Sequence, residues 1–253
     1  MTKVSLASPL HDPEGRLLPI ISTYGGKLLK LYGGNAAISV TPKTLPETIN
    51  KLNSQGFKTI MQDEKSGLDL GSNYRLAVKT ALEIGSTHVH LVDFDRALHW
   101  TQRFHNELRD IIDYIPSYDG YISFVRTRRA FETHPQIQRV PEIAINAIAS
   151  DVAKIDVDIM SGAFAFDKKL AEQILKQSRR TDYGIYAEFL TVAIKNNAKI
   201  NTMEVEGLEW ETPDQFKDLI EKEGYSAWLA QFESLTEWEK RVKLIEDSSE
   251  VLI

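Results

Sequence analysis

The feature that most narrows the folding options is a rhythm before residue 95. Short apolar runs at 4–7, 36–40, 57–61 and 88–92 alternate with longer stretches of helical spacing. Runs this short and apolar, bounded by Gly, Pro or Asn, read as buried strands. Residues 17–31 have helical spacing, interrupted near Gly25-Gly26 and stopped by Gly33-Gly34, where glycine relieves the left-handed turn of a helix end. Thr44 and Glu47 form a candidate capping box for a helix closed by Gly56. Tyr74, Ala77, Val78 and Ala81 recur at i, i+3, i+4 and i+7 before Gly85. Strand and helix in this order predict a mostly parallel sheet covered on both faces, with a Rossmann-like N-terminal half.

The later chain continues the pattern less regularly. Residues 100–114, 141–150, 168–177 and 183–195 read as helical, the last with Asp182 at its N-cap. Residues 121–125 and 199–205 read as strands, and 155–166 as strand-rich. From Pro213 onward the pattern is helical and amphipathic, with Phe216, Leu219, Ile220, Trp228, Leu229, Phe232 and Trp238 as expected core contacts. The expected organisation is an α/β domain over 1–210 and a helical C-terminal extension over 211–253.

Charge and composition remove several function classes. The formal net charge is −6, which disfavours nucleic acid or an anionic membrane as the main partner. With no cysteine in the chain, disulfides, thiolate metal sites and cysteine nucleophiles are excluded. No stretch approaches the ~18 apolar residues that a membrane span needs, and the polar start does not read as a signal peptide. The expectation is a cytoplasmic protein.

Two Asp-x-Asp pairs stand out, Asp93/Asp95 and Asp156/Asp158. With 16 Asp in 253 residues, such pairs arise by chance, so placement must decide. Asp93 follows an apolar strand directly, and open α/β sheets bind ligands outside the carboxyl ends of their strands. Two carboxylates there are candidates to hold a hard cation, Mn²⁺ or Mg²⁺, shared with substrate phosphates. Asp156 and Asp158 alternate with Ile155, Val157 and Ile159, as on the wet face of a half-buried strand.

From Gly71 through Arg75, Ala77, Ala81 and Gly85 to the strand ending in Asp93-Phe94-Asp95, the chain resembles the donor-binding half of GT-A fold glycosyltransferases, especially the family 2 type. Downstream, Ser161-Gly162-Ala163 resembles that family's glycine-bearing strand, and Asp182 stands where its catalytic acid often lies. The resemblance covers roughly residues 3–206. It implies a donor half at 1–97, an acceptor half at 98–210, and a sugar nucleotide as donor with a small-molecule or glycan acceptor. On that basis Ser8, Pro9, Asp12, Arg75, Asp93 and Arg128 are candidates for donor contact. Gly162 and Trp210 are candidates for the acceptor side, Asp93 and Asp95 for the metal, and Asp182 or Glu188 for the catalytic base. The chain departs from the family at the opening after strand one, Ser8-Pro9-Leu10-His11-Asp12, and at Thr181-Asp182. It also has no histidine after His134, so a third metal ligand falls to water or to an acid such as Glu211 or Asp214.

Each candidate has a plainer reading. Pro9 and Asp12 are ordinary turn residues, Asp182 a simple cap, and Trp100 and Trp210 core side chains. Arg75, the cluster Arg126, Arg128 and Arg129, which could grip phosphate, and His99, which could orient the metal loop, read equally as solvated surface. Three rival functions remain: a haloacid dehalogenase-type phosphatase using Asp93 and Asp95, a sugar-1-phosphate nucleotidyltransferase, and a non-catalytic relative that binds a sugar nucleotide.

Overall fold

The computed structural model describes residues 3–63 and 69–253. Seven strands form one sheet: β1 (Val4–Leu10), β2 (Ala36–Val40), β3 (Lys58–Met61), β4 (His88–Val92), β5 (Tyr121–Arg126), β6 (Ala163–Asp167) and β7 (Ile200–Val205). Their order is β3-β2-β1-β4-β6-β5-β7. β1 pairs in parallel with β2 and β4, β2 with β3, and β5 with β7; β6 alone runs antiparallel, between β4 and β5. The expected α/β architecture is therefore present. Strand order also reverses beside β1: the chain moves outward to β2 and β3, then returns to place β4 on β1's other edge.

The helices follow from the sequence pattern with local shifts. α1 (Leu18–Ile20) runs through a π-helical turn, Ile21–Gly25, into α2 (Gly26–Leu31), so the Gly25-Gly26 interruption is a widened turn. α3 (Pro46–Gln55) ends at Gly56 with φ 98°. Its N-cap is Leu45, not Thr44; the Thr44 hydroxyl instead packs against Asp12 and Thr41 under the end of β1. α4 (Leu70–Glu83) is capped by Asp69, whose carboxylate accepts from Ser72 N. α5 (Phe94–Arg103) begins directly after Asp93, six residues earlier than the spacing from Trp100 predicts, and α6 (His105–Tyr114) follows a break at Phe104.

After α7 (Arg128–Glu132), α8 (Gln136–Ala153) carries Pro141 inside it. The 155–166 stretch is strand only from Ala163; before that it is loop and a single 3-10 turn, Ile159–Ser161. α9 (Lys168–Gln177) and α10 (Ile185–Lys195) cover the sheet, and α11 (Lys217–Glu223), α12 (Tyr225–Phe232) and α13 (Leu235–Leu252) complete the chain.

Alternation along the strands divides the core in two. Leu6, Ile38, Val40 and Val92 face one layer with Trp100 and Phe124. Ala7, Ala37, Val89 and Leu91 face the other with Tyr74, Phe164 and Phe189, joined by Leu244 and Leu252 of α13. α13 (Leu235–Leu252) thus joins the second layer. Of the expected C-terminal contacts, Trp228 is fully buried and stacks near Trp210 and Phe216, while the others are half-buried. Among the described residues no helix is long and apolar enough to cross a membrane.

Candidate functional site

The point where strand order reverses, between β1 and β4, is where open α/β sheets bind ligands. A cleft of about 230 Å³ lies there, bounded by Pro9, His11, Asn73, Asp93, Asp95 and Gln215 among others. It adjoins a second cavity of about 350 Å³ that shares His11, Leu70 and Asn73 and reaches Thr41, Asp182 and Lys243. Pro9, Asp93 and Asp95 therefore line one cleft, and Asp182 lines the adjoining one.

Asp93 is the last residue before α5. One carboxylate oxygen accepts a hydrogen bond from the Tyr74 hydroxyl, which also meets the Tyr186 hydroxyl at 2.8 Å. The other lies 3.5 Å from Nε of Arg96, one helical turn on. Burial raises the Asp93 pKa, against the pull of Arg96 and the Tyr74 bond. Its position depends on Gly162, which adopts φ +66°; a Cβ there would stand 2.5 Å from Asp93 Oδ2 and 3.4 Å from Arg96 Cζ. Gly162 is close to the carboxylate because only a residue without Cβ leaves room for it.

Asp95 lies in the first turn of α5. Its carboxylate accepts from Arg96 N at 2.9 Å and from Gln215 Nε2 at 3.0 Å. Burial, then Glu211 and Asp93, push its pKa up to about 7. Glu211 is buried, its Oε2 has no hydrogen-bond partner, and that oxygen stands 3.9 Å from Arg96 Nε. Asp214 turns instead to His99, whose Nδ1 it meets at 2.7 Å, while Nε2 of His99 lies 3.3 Å from Glu209. His99 is buried and ties α5 to the segment carrying Glu211 and Gln215, so it is not a surface residue.

Asp93, Asp95 and Glu211 are hard oxygen donors of the kind that hold Mg²⁺ or Mn²⁺. Among the described residues no three His, Cys, Asp or Glu converge closely enough to enclose a metal ion. Mg²⁺ does not need an all-protein cage; it is commonly bound by one or two carboxylates together with substrate phosphates. The donor chemistry fits a cation shared with a ligand in that way.

The other expected residues are placed as follows. Ser8 is buried and donates to Val92 O, locking β1 to β4. Asp12 is buried and accepts from Thr48 Oγ1 at 2.8 Å and Leu17 N at 3.4 Å, so it holds the turn after β1. Arg75 donates to Arg180 O at 2.6 Å, and Gly71 N to Thr181 O at 3.3 Å. These two therefore grip the loop that bears Asp182. Asp182 is not the N-cap of α10, which is Gly184; its carboxylate accepts from the Arg180 guanidinium at 2.9 and 2.8 Å and from Gly184 N at 3.0 Å. Glu188 accepts from Arg179 N, Arg180 N and Ser178 Oγ, fixing the same loop. Arg128 is 91% exposed and pairs with Glu132. Trp210 is buried against Trp228 and Phe232.

Two arginine and aspartate readings change. Arg126 and Asp158 are both buried and form a two-pronged pair at 2.7 and 2.9 Å, with Asn146 at 2.7 Å and Glu142 2.8 Å from Arg126. The residues around Asp158 are loop, so the strand alternation that made it solvent-facing does not apply. Arg126 holds the Asp158 pKa below its usual range against the effect of burial. The sequence reading missed Tyr74, Tyr186, Asn73, His11 and Arg96 as residues of the site. Arg96 had a signal, its i+3 spacing from Asp93, hidden because the helix was placed to start at Trp100.

No protein-family model and no curated protein matches the sequence. Solved structures do match. CMP:2-keto-3-deoxy-manno-octonic acid synthetase, in a complex with CTP, superposes with a TM-score of 0.51 at 14% identity, over 91% of this chain and 99% of that one. Mannosyl-3-phosphoglycerate synthase from Rubrobacter xylanophilus superposes with a TM-score of 0.53 at 12% identity, over 88% of this chain and 75% of that one. With its Rossmann-like parallel half, antiparallel β6 and flanking helices, the chain shares the GT-A type α/β fold of these two structures.

Proposed function

We propose that the chain is a cation-dependent glycosyltransferase that moves a sugar from a nucleotide-diphosphate sugar to a hydroxyl acceptor. The observation that carries this reading is the cleft at the β1/β4 switch point, edged by Asp93 and Asp95 and adjoining a cavity lined by Asp182. The nucleoside would lie on the side lined by His11, Thr41, Asn73 and Leu70, which offers polar groups beside an apolar side chain. Asp93 and Asp95 would hold Mn²⁺ or Mg²⁺ jointly with the donor's phosphate oxygens; that ion supplies positive charge to the leaving diphosphate.

The chain's own groups then have defined tasks. The Tyr74 hydroxyl donates to one Asp93 oxygen, which restrains the carboxylate's orientation and favours its charged form. Asp182 is the candidate base that accepts the proton of the acceptor hydroxyl in an inverting reaction. It must first part from the Arg180 guanidinium, which engages both of its oxygens. Glu188 acts at one remove, by fixing the backbone N–H groups of Arg179 and Arg180. The acceptor is a small molecule or a glycan.

A second reading, nucleotidyl transfer, is favoured by one observation: the superposition on the CTP-bound synthetase spans 99% of that chain. The readings differ in the leaving group. Glycosyl transfer releases a nucleoside diphosphate, whereas nucleotidyl transfer releases pyrophosphate. The test is incubation with Mn²⁺ and panels of sugar nucleotides, or of nucleoside triphosphates with sugar acids and sugar phosphates. Release of nucleoside diphosphate from a sugar nucleotide supports the first reading. Pyrophosphate alone replaces it with the second, and neither product removes both.

A further inference from the structure

Behind Asp93, beside the acidic end of the cleft, stands a cation that belongs to the chain. Arg96 is largely buried, its side chain 14% exposed. Its Nε stands between Asp93 Oδ2 at 3.5 Å and Glu211 Oε2 at 3.9 Å, and Nη1 donates to Ser161 O. Its backbone N–H donates to Asp95. Glu211 has no hydrogen bond on Oε2 and depends on this guanidinium for compensation. A buried carboxylate without a counter-charge is costly, so Arg96 balances the carboxylates whenever no other cation does. Gly162 makes that arrangement possible, since a Cβ there would stand 2.5 Å from Asp93 Oδ2.

We propose that Arg96 is the resident counter-cation of the Asp93/Glu211 pair, and that it exchanges partners when the donor binds. The guanidinium turns to the phosphate oxygens while a divalent cation takes the carboxylates. This inference rests on the cation reading above and adds a specific coupling to it. Guanidinium and metal ion compete for the same oxygens and repel each other as like charges. Without phosphate, Arg96 therefore opposes the metal. With phosphate, the guanidinium gains a two-pronged anionic partner, and the opposition becomes cooperation. Binding of cation and binding of diphosphate strengthen each other by the same factor, as linkage requires. The device would keep the site from loading a free metal ion when there is no donor to share it.

The test is Mn²⁺ binding to the full chain, read from the paramagnetic resonance signal of free Mn²⁺, with and without inorganic pyrophosphate. In the wild type, the account expects weak Mn²⁺ binding alone and binding at least about tenfold tighter with saturating pyrophosphate, after correction for the Mn²⁺–pyrophosphate complex in buffer. Arg96→Gln should bind Mn²⁺ alone about tenfold more tightly than wild type and lose most of the pyrophosphate effect. Arg96→Lys, which keeps the charge, should stay near wild type for Mn²⁺ alone. If Arg96→Gln does not fold, the comparison passes to Glu211→Gln against Arg96→Gln/Glu211→Gln, where that buried acid no longer lacks a counter-charge; the double variant should bind Mn²⁺ more tightly. Unchanged or weaker Mn²⁺ binding on loss of Arg96, with the pyrophosphate effect intact, overturns the inference and leaves the cation reading standing. Absence of Mn²⁺ binding in every protein, with or without pyrophosphate, overturns both.

Discussion

Replacing Gly162 by alanine is the sharpest local perturbation of the site. Gly162 sits at φ +66°, with its carbonyl accepting from Asp93 N at 3.2 Å. Left-handed backbone costs an L-residue about 1–2 kcal/mol relative to glycine. The added methyl would also stand 2.5 Å from Asp93 Oδ2 and 3.1 Å from its Cγ. Real Cβ atoms do not approach that closely, so Asp93 must rotate or the loop must shift. Asp93 cannot rotate freely, because Tyr74 holds its other oxygen and Arg96 its near side. The expected result is a loss of about 1–2 kcal/mol from backbone strain alone. For a chain of this size, each kcal/mol lowers Tm by about 2–4 °C. The assay is chemical and thermal unfolding of wild type and Gly162→Ala, alongside the stabilisation each gains from nucleoside diphosphate with Mn²⁺. The ligand effect should fall much further than the stability. A variant with unchanged stability and unchanged ligand response would refute the idea that Gly162 makes room for Asp93.

Three further predictions concern the surroundings. Asp158→Ala removes one partner of a buried pair and leaves Arg126 with Glu142 alone; the loss should be about 3–5 kcal/mol, read by urea unfolding, and a surface-like loss below ~0.5 kcal/mol would contradict the buried assignment. Glu107→Ala orphans Trp100 Nε1, Gly207 N and Glu206 N, all held at 2.6–2.8 Å, so stability should fall by about 1–3 kcal/mol per unsatisfied buried group, with amide exchange rising at Glu206 and Gly207. His90 is buried against Tyr32 and Phe124, and burial lowers its pKa from 6.5 to about 3. A group with a depressed folded pKa gives stability that is complete above 6.5 and lost as pH falls toward about 3, at up to about 1.4 kcal/mol per pH unit. His90→Phe should flatten the pH dependence of unfolding in that window; an unaltered slope would assign the acid sensitivity to other groups.

The parallel half was legible because its signals are local. Strands 36–40 and 88–92 are bounded by glycine and by Asp93, and they are buried on both faces, so they are mostly apolar apart from Ser39, His88 and His90. Asp93, Asp95 and Pro9 were legible for the same reason, since a strand end is a place on the sequence as well as in the fold. What stayed hidden depends on contacts between distant segments. Glu211 and Gln215 reach the site on a segment that His99 ties to α5 through Asp214 and Glu209. Asp158 was misread because loop residues 155–158 imitate strand alternation, while its burial is decided by Arg126, 32 residues away. Gly71 and Arg75 stand in the expected motif, yet their contacts are with the loop at 180–181, a partner that spacing does not encode.

The central claim is that the cleft beside β1 and β4 binds a nucleoside diphosphate through a cation held by Asp93 and Asp95. Thermal unfolding of the wild type and of Asp93→Asn/Asp95→Asn, with a panel of nucleoside diphosphates in Mn²⁺ or in chelator, tests it most directly. The account predicts that at least one nucleotide raises the wild-type Tm only when Mn²⁺ is present, by several degrees at ~100 times Kd, and that the double variant loses that rise. No metal-dependent rise with any nucleotide, or an equal rise in the double variant, would contradict it.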